Sequence, residues 1–402
     1  MPFSRRIAMG GFAAVSVTAF CGRAGPVRAA ESEAQDWSAR LDDATSLLDS
    51  TFSLGMHMHP ALFPVKDIPR SSNPRRYRGD EMFARRIEGM RTGRLWTGFF
   101  SPVVDAPVLG MTSSGPGMTR RFEPGEAWRE FERQLAVLDE LLERNDVVKA
   151  TSVGQVREAH AAGKVAAMIG CEGGDHVEDD PGRVETLHDK GVRSLQLFHY
   201  APNSLVRFDD GRDAGLTEVG RETIAEMNRV GLLADLAHAS FETAAEAAEA
   251  GTQPLLATHS VARRPGDPGG GIGMSAEHVR LVAATGGVIG TFGGVAGGVA
   301  GFVEHVMRLV DIAGIDHVGI GTDMDGTGSL PAAIDSYERL PEVCARLLAA
   351  GYSRSDVAKI IGGNVARVLD TVANAMEPNA MKPSEMKPNE MKPNEMKQVD
   401  AA

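Results

Sequence analysis

Short apolar runs alternate with amphipathic stretches along most of this chain. Eight runs are rich in Val, Ile, Leu and Phe: "TFSLGMHMH", "LWTGFFSPVV", "VAAMIGCEGG", "VRSLQLFHY", "GLLADLAHA", "PLLATHS", "GGVIGTFGG" and "HVGIGTDMDG". Such runs, bounded by glycine and polar residues, read as parallel strands buried on both faces. Segments of helical period separate most of them. "EAWREFERQLAVLDELLERN" follows the second run and "TEVGRETIAEMNRVG" precedes the fifth. "SFETAAEAAEAG" lies between the fifth and sixth, and "SAEHVRLVAATGG" precedes the seventh. "GFVEHVMRLVDIAG" precedes the eighth, and "SRSDVAKIIGGNVARVLD" follows it. Ser240 and Ser275 stand where N-caps belong, and Gly286 near a helix stop. Strand–helix alternation repeated eight times predicts an α/β fold, a (β/α)8 TIM barrel. The rival, a doubly wound open sheet, lacks its mark, because no G-x-G-x-x-G opens a helix after the first run.

Both ends depart from this pattern. Residues 1–30 carry Arg5 and Arg6, then an uncharged Gly/Ala-rich run, then small residues around Ala29 and Ala30. That run is too short to span a bilayer and matches a signal peptide. Ser4-Arg5-Arg6 resembles the twin-arginine export signal. The expectation is bacterial export to the periplasm or beyond. Residues 376–402 repeat a Met-Lys-Pro-Asn-Glu unit. Proline at every fifth place forbids a regular helix, and so polar a tail buries no core. Residues 31–370 are therefore expected to hold the barrel, with a disordered repeat tail from 376.

Composition adds exclusions. The 402 residues are 43% hydrophobic and 24% charged, with net charge −12 and no basic stripe, which argues against a nucleic-acid partner. No transmembrane segment is expected. Beyond the leader only Cys171 and Cys344 remain, too few for a disulfide framework and without zinc-ribbon spacing.

The chemistry gathers at the C-terminal ends of the runs, which in a barrel of this kind form the active-site rim. The first run ends in His57 and His59, and their i, i+2 spacing on a strand points both the same way. The third ends in Glu172, the fourth in His199, the fifth in His238, the sixth in His259 and the eighth in Asp323. Six of eight runs thus deliver a ligand or an acid/base group to one rim. By contrast, His160, His188, His278 and His305 lie in helix-like stretches, and His317 starts a strand. These five read as packing or surface residues, while His176, in a polar loop after Glu172, is a weaker candidate for approaching substrate.

Four imidazoles (His57, His59, His238, His259) and the Glu172 carboxylate form a donor set suited to Zn²⁺ and open to other divalent metals. Five ligands exceed what one open site needs and suit two ions sharing a carboxylate. Two ions about 3.5–4 Å apart activate a hydroxide and steady a tetrahedral oxyanion. Glu172, the only carboxylate of the five, is the expected bridge. Asp323 is the expected proton carrier, and His199 a hydrogen-bond donor to the substrate carbonyl or oxyanion. Asp325 reads as part of a turn with Gly326.

With these residues placed, the chain resembles the membrane dipeptidase (renal dipeptidase) family of the amidohydrolase superfamily over most of residues 50–370. The resemblance rests on "AAMIGCEGG", "GVRSLQLFHYAPN", "GLTEVGRETIAEMNRVGLLADLAHAS", "PLLATHSVAR", "HVGIGTDMDG" and "IIGGNVARVLD", in that order. It implies a two-zinc peptidase that cleaves dipeptides, often with a D-residue on the C-terminal side, and is commonly a homodimer. It also implies that His57, His59 and Glu172 hold one zinc, and Glu172, His238 and His259 the other.

Two departures widen the substrate class. The family's first motif is His-x-Asp, whereas this chain has His57-Met58-His59, one unit more positive. The family's Arg-Asn pair, whose arginine binds the dipeptide carboxylate, falls closest to Ile272 and Gly273 here. The alternatives are a hydrolase of lactones, β-lactams, N-acyl amino acids or phosphoesters, and a non-catalytic barrel that binds metal or peptide.

Overall fold

Each apolar run becomes one strand of a closed parallel sheet. In chain order these are β1 (Leu54–Met58), β2 (Thr97–Phe100), β3 (Ala166–Cys171), β4 (Val192–Gln196), β5 (Leu233–Asp235), β6 (Leu256–Ala262), β7 (Val288–Thr291) and β8 (Val318–Ile320). Every strand pairs with its neighbours in sequence, and β8 pairs with β1, which closes the barrel. The computed structural model describes residues 37–60, 79–112, 115–209, 211–264, 272–326, 333–334 and 336–376. The expected leader, residues 61–78 and the tail beyond Met376 lie outside the described residues.

The strands are mostly apolar because both of their faces are covered. Every residue of β1, β2, β3, β7 and β8 is buried. Outside them run α1 (Leu41–Ser50), α2 (Gly79–Gly93), α3 (Glu126–Arg144), α4 (Val153–Ala161), α5 (Arg183–Asp189), α6 (Glu218–Val230), α7 (Phe241–Ala250), α8 (Ala276–Ala284), α9 (Gly298–Ala313) and α10 (Leu340–Ala349). The two expected serine caps are made: Ser240 Oγ accepts from the Thr243 N–H at 3.0 Å, and Ser275 Oγ from the His278 N–H at 3.1 Å.

The stretch after β8 is not one helix. It divides into α11 (Arg354–Ala358), a π-helical turn (Lys359–Gly363) and α12 (Asn364–Met376). The break sits where Gly362 meets the start of β1. A Cβ on Gly362 would come within 2.7 Å of the Phe52 carbonyl oxygen and 2.8 Å of the Leu54 nitrogen. Val365, Leu369 and Val372 of α12 share a core with Leu54, Leu233 and Val288, the first residues of their strands. The last helix therefore stops the N-terminal end of the barrel and leaves the opposite rim for chemistry. It also runs past the expected domain boundary at 370.

Two hairpins, Leu109–Thr112 with Gly115–Met118 and Val206–Asp209 with Arg212–Leu216, interrupt the alternation without belonging to the barrel. Among the described residues no helix is long and apolar enough to cross a membrane. Cys171 and Cys344 are both buried and unbridged.

Candidate metal centre

The seven side chains singled out along the sequence meet at the C-terminal rim. Glu172 follows the last residue of β3, while His199, His238 and Asp323 each lie three residues past the ends of β4, β5 and β8. His57 lies in β1, His59 just beyond it, and His259 inside β6. His57 Nε2 is 3.1 Å from His59 Nε2, and each is 3.4 Å from an oxygen of Glu172. On the other side His238 Nε2 is 3.0 Å from His259 Nε2, and the two lie 3.8 and 3.6 Å from Glu172 Oε1. Two ligands on one tetrahedral ion with bonds of about 2.0–2.1 Å are about 3.3 Å apart. The observed spacings bracket that value, so the donor set fits divalent ions.

Asp323 and His199 reach the same centre. Asp323 Oδ1 is 3.2 Å from His59 Nε2, and His199 Nε2 is 3.4 Å from Glu172 Oε1. Three donor groups have ligand atoms within 4.8 Å of one another, His57/His59/Asp323, His57/Glu172/His259 and Glu172/His199/His238, and they cut across the two triads that the resemblance implies. Both added residues are thus within ligand reach of the same centre.

Strand irregularities aim these groups. Between Gly55 and Met58, β1 has one residue more than β2, and between Ala257 and Ser260, β6 has one more than β7. Such bulges re-aim side chains next to active sites, and they hold His57 and His259. His238, Asp323 and Asp325 have left-handed backbones, with φ of 67°, 49° and 69°. Strain of this kind costs about 1–3 kcal/mol per residue and persists where the surroundings over-determine it. Asp325 turns away to accept from Arg86 Nη2 of α2 at 2.5 Å. The turn after β8 is thereby tied to a helix.

Outer contacts orient the rings. His59 Nδ1–H donates to the Ser101 carbonyl at 2.8 Å, which turns Nε2 toward the centre. His199 Nδ1–H donates to Asp105 at 2.8 Å. Electrostatics follow from this crowding. Burial pushes the Glu172 carboxyl up, but His199, His57 and His59 outweigh it and hold the group well below the usual range. Burial, with His199 and His57 adding repulsion, depresses His238 to about 3. Burial with His57 and His238 likewise holds His259 well below its ordinary value. Both are neutral imidazoles, the form that ligates a metal. Burial alone would depress His199, yet Asp105 and Glu172 raise it to about 9.

The remaining histidines lie elsewhere. His160 stacks on Trp96, His305 accepts from the Ala262 N–H, and His317 contacts the Gly287 carbonyl. His176 stacks on Phe131, with ring centroids 4.8 Å apart, rather than joining the cluster. Asp105, Ser101, Asp235 and Thr258 were not singled out along the sequence. Asp235 had a legible signal, a charge inside the apolar "GLLADLAHA" run. Asp105 follows the second run, which otherwise brings no acid/base side chain to the rim.

A family model described as membrane dipeptidase (peptidase family M19) matches residues 38–383. Dipeptidase verJ of Clonostachys rogersoniana is 29% identical over 266 residues, which are 61% of this chain and 66% of that relative's length. Among solved structures, the probable dipeptidase PvdM of Pseudomonas aeruginosa superposes with TM-score 0.67 at 18% identity, over 84% of this chain and 99% of that one. A metallopeptidase of Rhodobacter sphaeroides, solved with a phosphinate mimic of L-Ala-D-Ala, superposes with TM-score 0.64 at 22% identity, over 80% and 99%. At these identities the two structures share the fold.

Proposed function

Because the chain belongs to the membrane dipeptidase family, we propose that it is a metal-dependent hydrolase that cleaves the amide bond of dipeptides. The observation that carries this reading is the convergence of four imidazole Nε2 atoms on the buried Glu172 carboxylate, all within 3.8 Å. In this reading His57, His59 and Glu172 hold one zinc ion, and Glu172, His238 and His259 a second. Bound there, the ions supply Lewis acidity toward the scissile carbonyl and make water a nucleophile at neutral pH.

The chain's own residues do the rest. Asp323, beside His59, accepts the proton of the attacking water and returns it to the leaving amine. His199, its ring fixed by Asp105, donates from Nε2 to the carbonyl oxygen as negative charge develops there. The buried rim keeps bulk water from these contacts. Tolerance of a C-terminal D-residue is part of the proposal, supported by the dipeptide mimic carried by the Rhodobacter sphaeroides relative. Action as a homodimer is supported by the family resemblance, and export by the twin-arginine pattern at Ser4-Arg5-Arg6.

The test is hydrolysis of a panel of L,L- and L,D-dipeptides by the zinc-loaded full chain, with free amino acids measured by mass spectrometry. Cleavage that a chelator abolishes and zinc restores is expected. No cleavage of any member, or cleavage indifferent to metal removal, overturns the proposal. One observation favours a second reading. Gly273, where the family's carboxylate-binding pair falls, is locked into register opposite Val261, and its neighbour Ile272 is apolar. A substrate without a free carboxylate, such as a lactone, would need no cationic anchor there. Turnover of such substrates far above that of dipeptides selects it.

A further inference from the structure

Thr258 lies under both histidine groups and is 1% exposed. Its Oγ1 is 2.5 Å from Asp235 Oδ2, 3.2 Å from His259 Nδ1 and 3.4 Å from His57 Nδ1. A threonine hydroxyl has one proton to donate and two lone pairs to accept with, and a carboxylate only accepts. Asp235 therefore takes the proton. Both lone pairs are left for the two imidazoles, and each can be satisfied only by an Nδ1–H.

Asp235 is itself immobilised, because its Oδ1 accepts the backbone N–H groups of Ala237 at 3.0 Å and Thr258 at 2.9 Å. The arrangement depends on the bulge in β6. In a regular strand Thr258 and His259 would face opposite sides, and the register slip between Ala257 and Ser260 lets both act at one place. His57 has a second neighbour, Ser101 Oγ, also at 3.4 Å, whereas His259 Nδ1 has Thr258.

We infer that Thr258, held by Asp235, is a positioning residue shared by both halves of the metal centre, setting the Nδ1–H tautomer of His57 and His259 together so that both Nε2 lone pairs face Glu172. The inference rests on the two-ion reading above. Its consequence is coupling: one hydroxyl governs the affinity of both ions, although His57 and His259 serve different ones.

The experiment measures zinc retained by the full chain after dialysis against a graded series of a competing chelator, with no substrate present. Thr258→Val keeps the shape and removes the hydroxyl, and both zinc equivalents are expected to bind about 10–100-fold more weakly. Thr258→Ser restores the hydroxyl and is expected to retain both ions within about threefold of the wild type. Asp235→Asn is expected to weaken both ions, because its amide would donate to Thr258 and turn the hydroxyl proton toward the rings. That variant carries the test should Thr258→Val not fold. Retention of both ions at wild-type affinity in the valine and asparagine variants overturns the inference, and so does loss of one ion only. A wild-type chain that takes up no zinc instead overturns the two-ion reading on which it rests.

Discussion

Asp105 Oδ1 accepts the Nδ1–H of His199 at 2.8 Å, while Asp105 Oδ2 accepts the backbone N–H groups of Tyr200 and Ala201 at 3.2 and 3.1 Å. One wholly buried carboxylate from the loop after β2 thus holds the ring and the chain that follows β4. Replacing it by Asp105→Asn leaves an amide that can donate where the carboxylate accepted. For a residue that orients the donor to the substrate oxygen, kcat should fall about 10–100-fold. Zinc content, measured on the same preparation, should not change.

The loop carrying Asp105 is gripped from α3. Gln134 Oε1 accepts the Val103 N–H at 2.9 Å, and Gln134 Nε2 donates to the Val103 carbonyl at 2.7 Å. Gln134→Leu would leave both buried backbone groups without partners, at about 1–3 kcal/mol for each. We expect a loss of about 2 kcal/mol or more in urea unfolding, together with a fall in kcat as Asp105 loses its support.

Gly326 follows the Asp323 turn so closely that a Cβ there would overlap the Asp323 carboxylate and the His59 ring. Gly326→Ala should therefore displace both. Activity should drop at least about 100-fold, the effect of small misplacements in a site of this kind. Circular dichroism should show the fold intact.

His305 provides a pH test away from the centre. Its Nε2 accepts the Ala262 N–H at 2.8 Å, which requires a neutral ring, and burial with Arg308 and Arg264 nearby depresses it to about 4 from 6.5. Between those values the unfolded chain binds a proton that the folded chain does not. Stability must therefore fall as pH falls through this window, by about 1.4 kcal/mol per pH unit from this group. In His305→Gln an amide oxygen can accept the same N–H without titrating. Going from pH 6.5 to 5, urea midpoints should show the variant losing about 1.6 kcal/mol less than the wild type.

Much of this protein was legible in one dimension. A closed parallel sheet covers both faces of its strands, so the eight barrel strands appear as mainly apolar runs, and the Ser240 and Ser275 caps are local hydrogen bonds that need no tertiary context. Because such a barrel builds its site where strands end, the residues closing those runs named the cluster before any distance was known. Other features depended on contacts between distant segments. The break at Gly362 answers to Phe52 and Leu54, and the strand hairpins and the Arg86–Asp325 pair bridge parts of the chain that carry no shared periodicity.

The outer contacts were the least legible. Asp105, Ser101 and Thr258 each contact a ring that arrives from another strand or through a bulge, Asp235 acts through Thr258, and nothing in a linear pattern reports a slip of register. Alternation along a strand dictates which face a side chain takes, but one extra residue against a neighbouring strand reverses that choice. That residue is counted only when the two strands lie side by side.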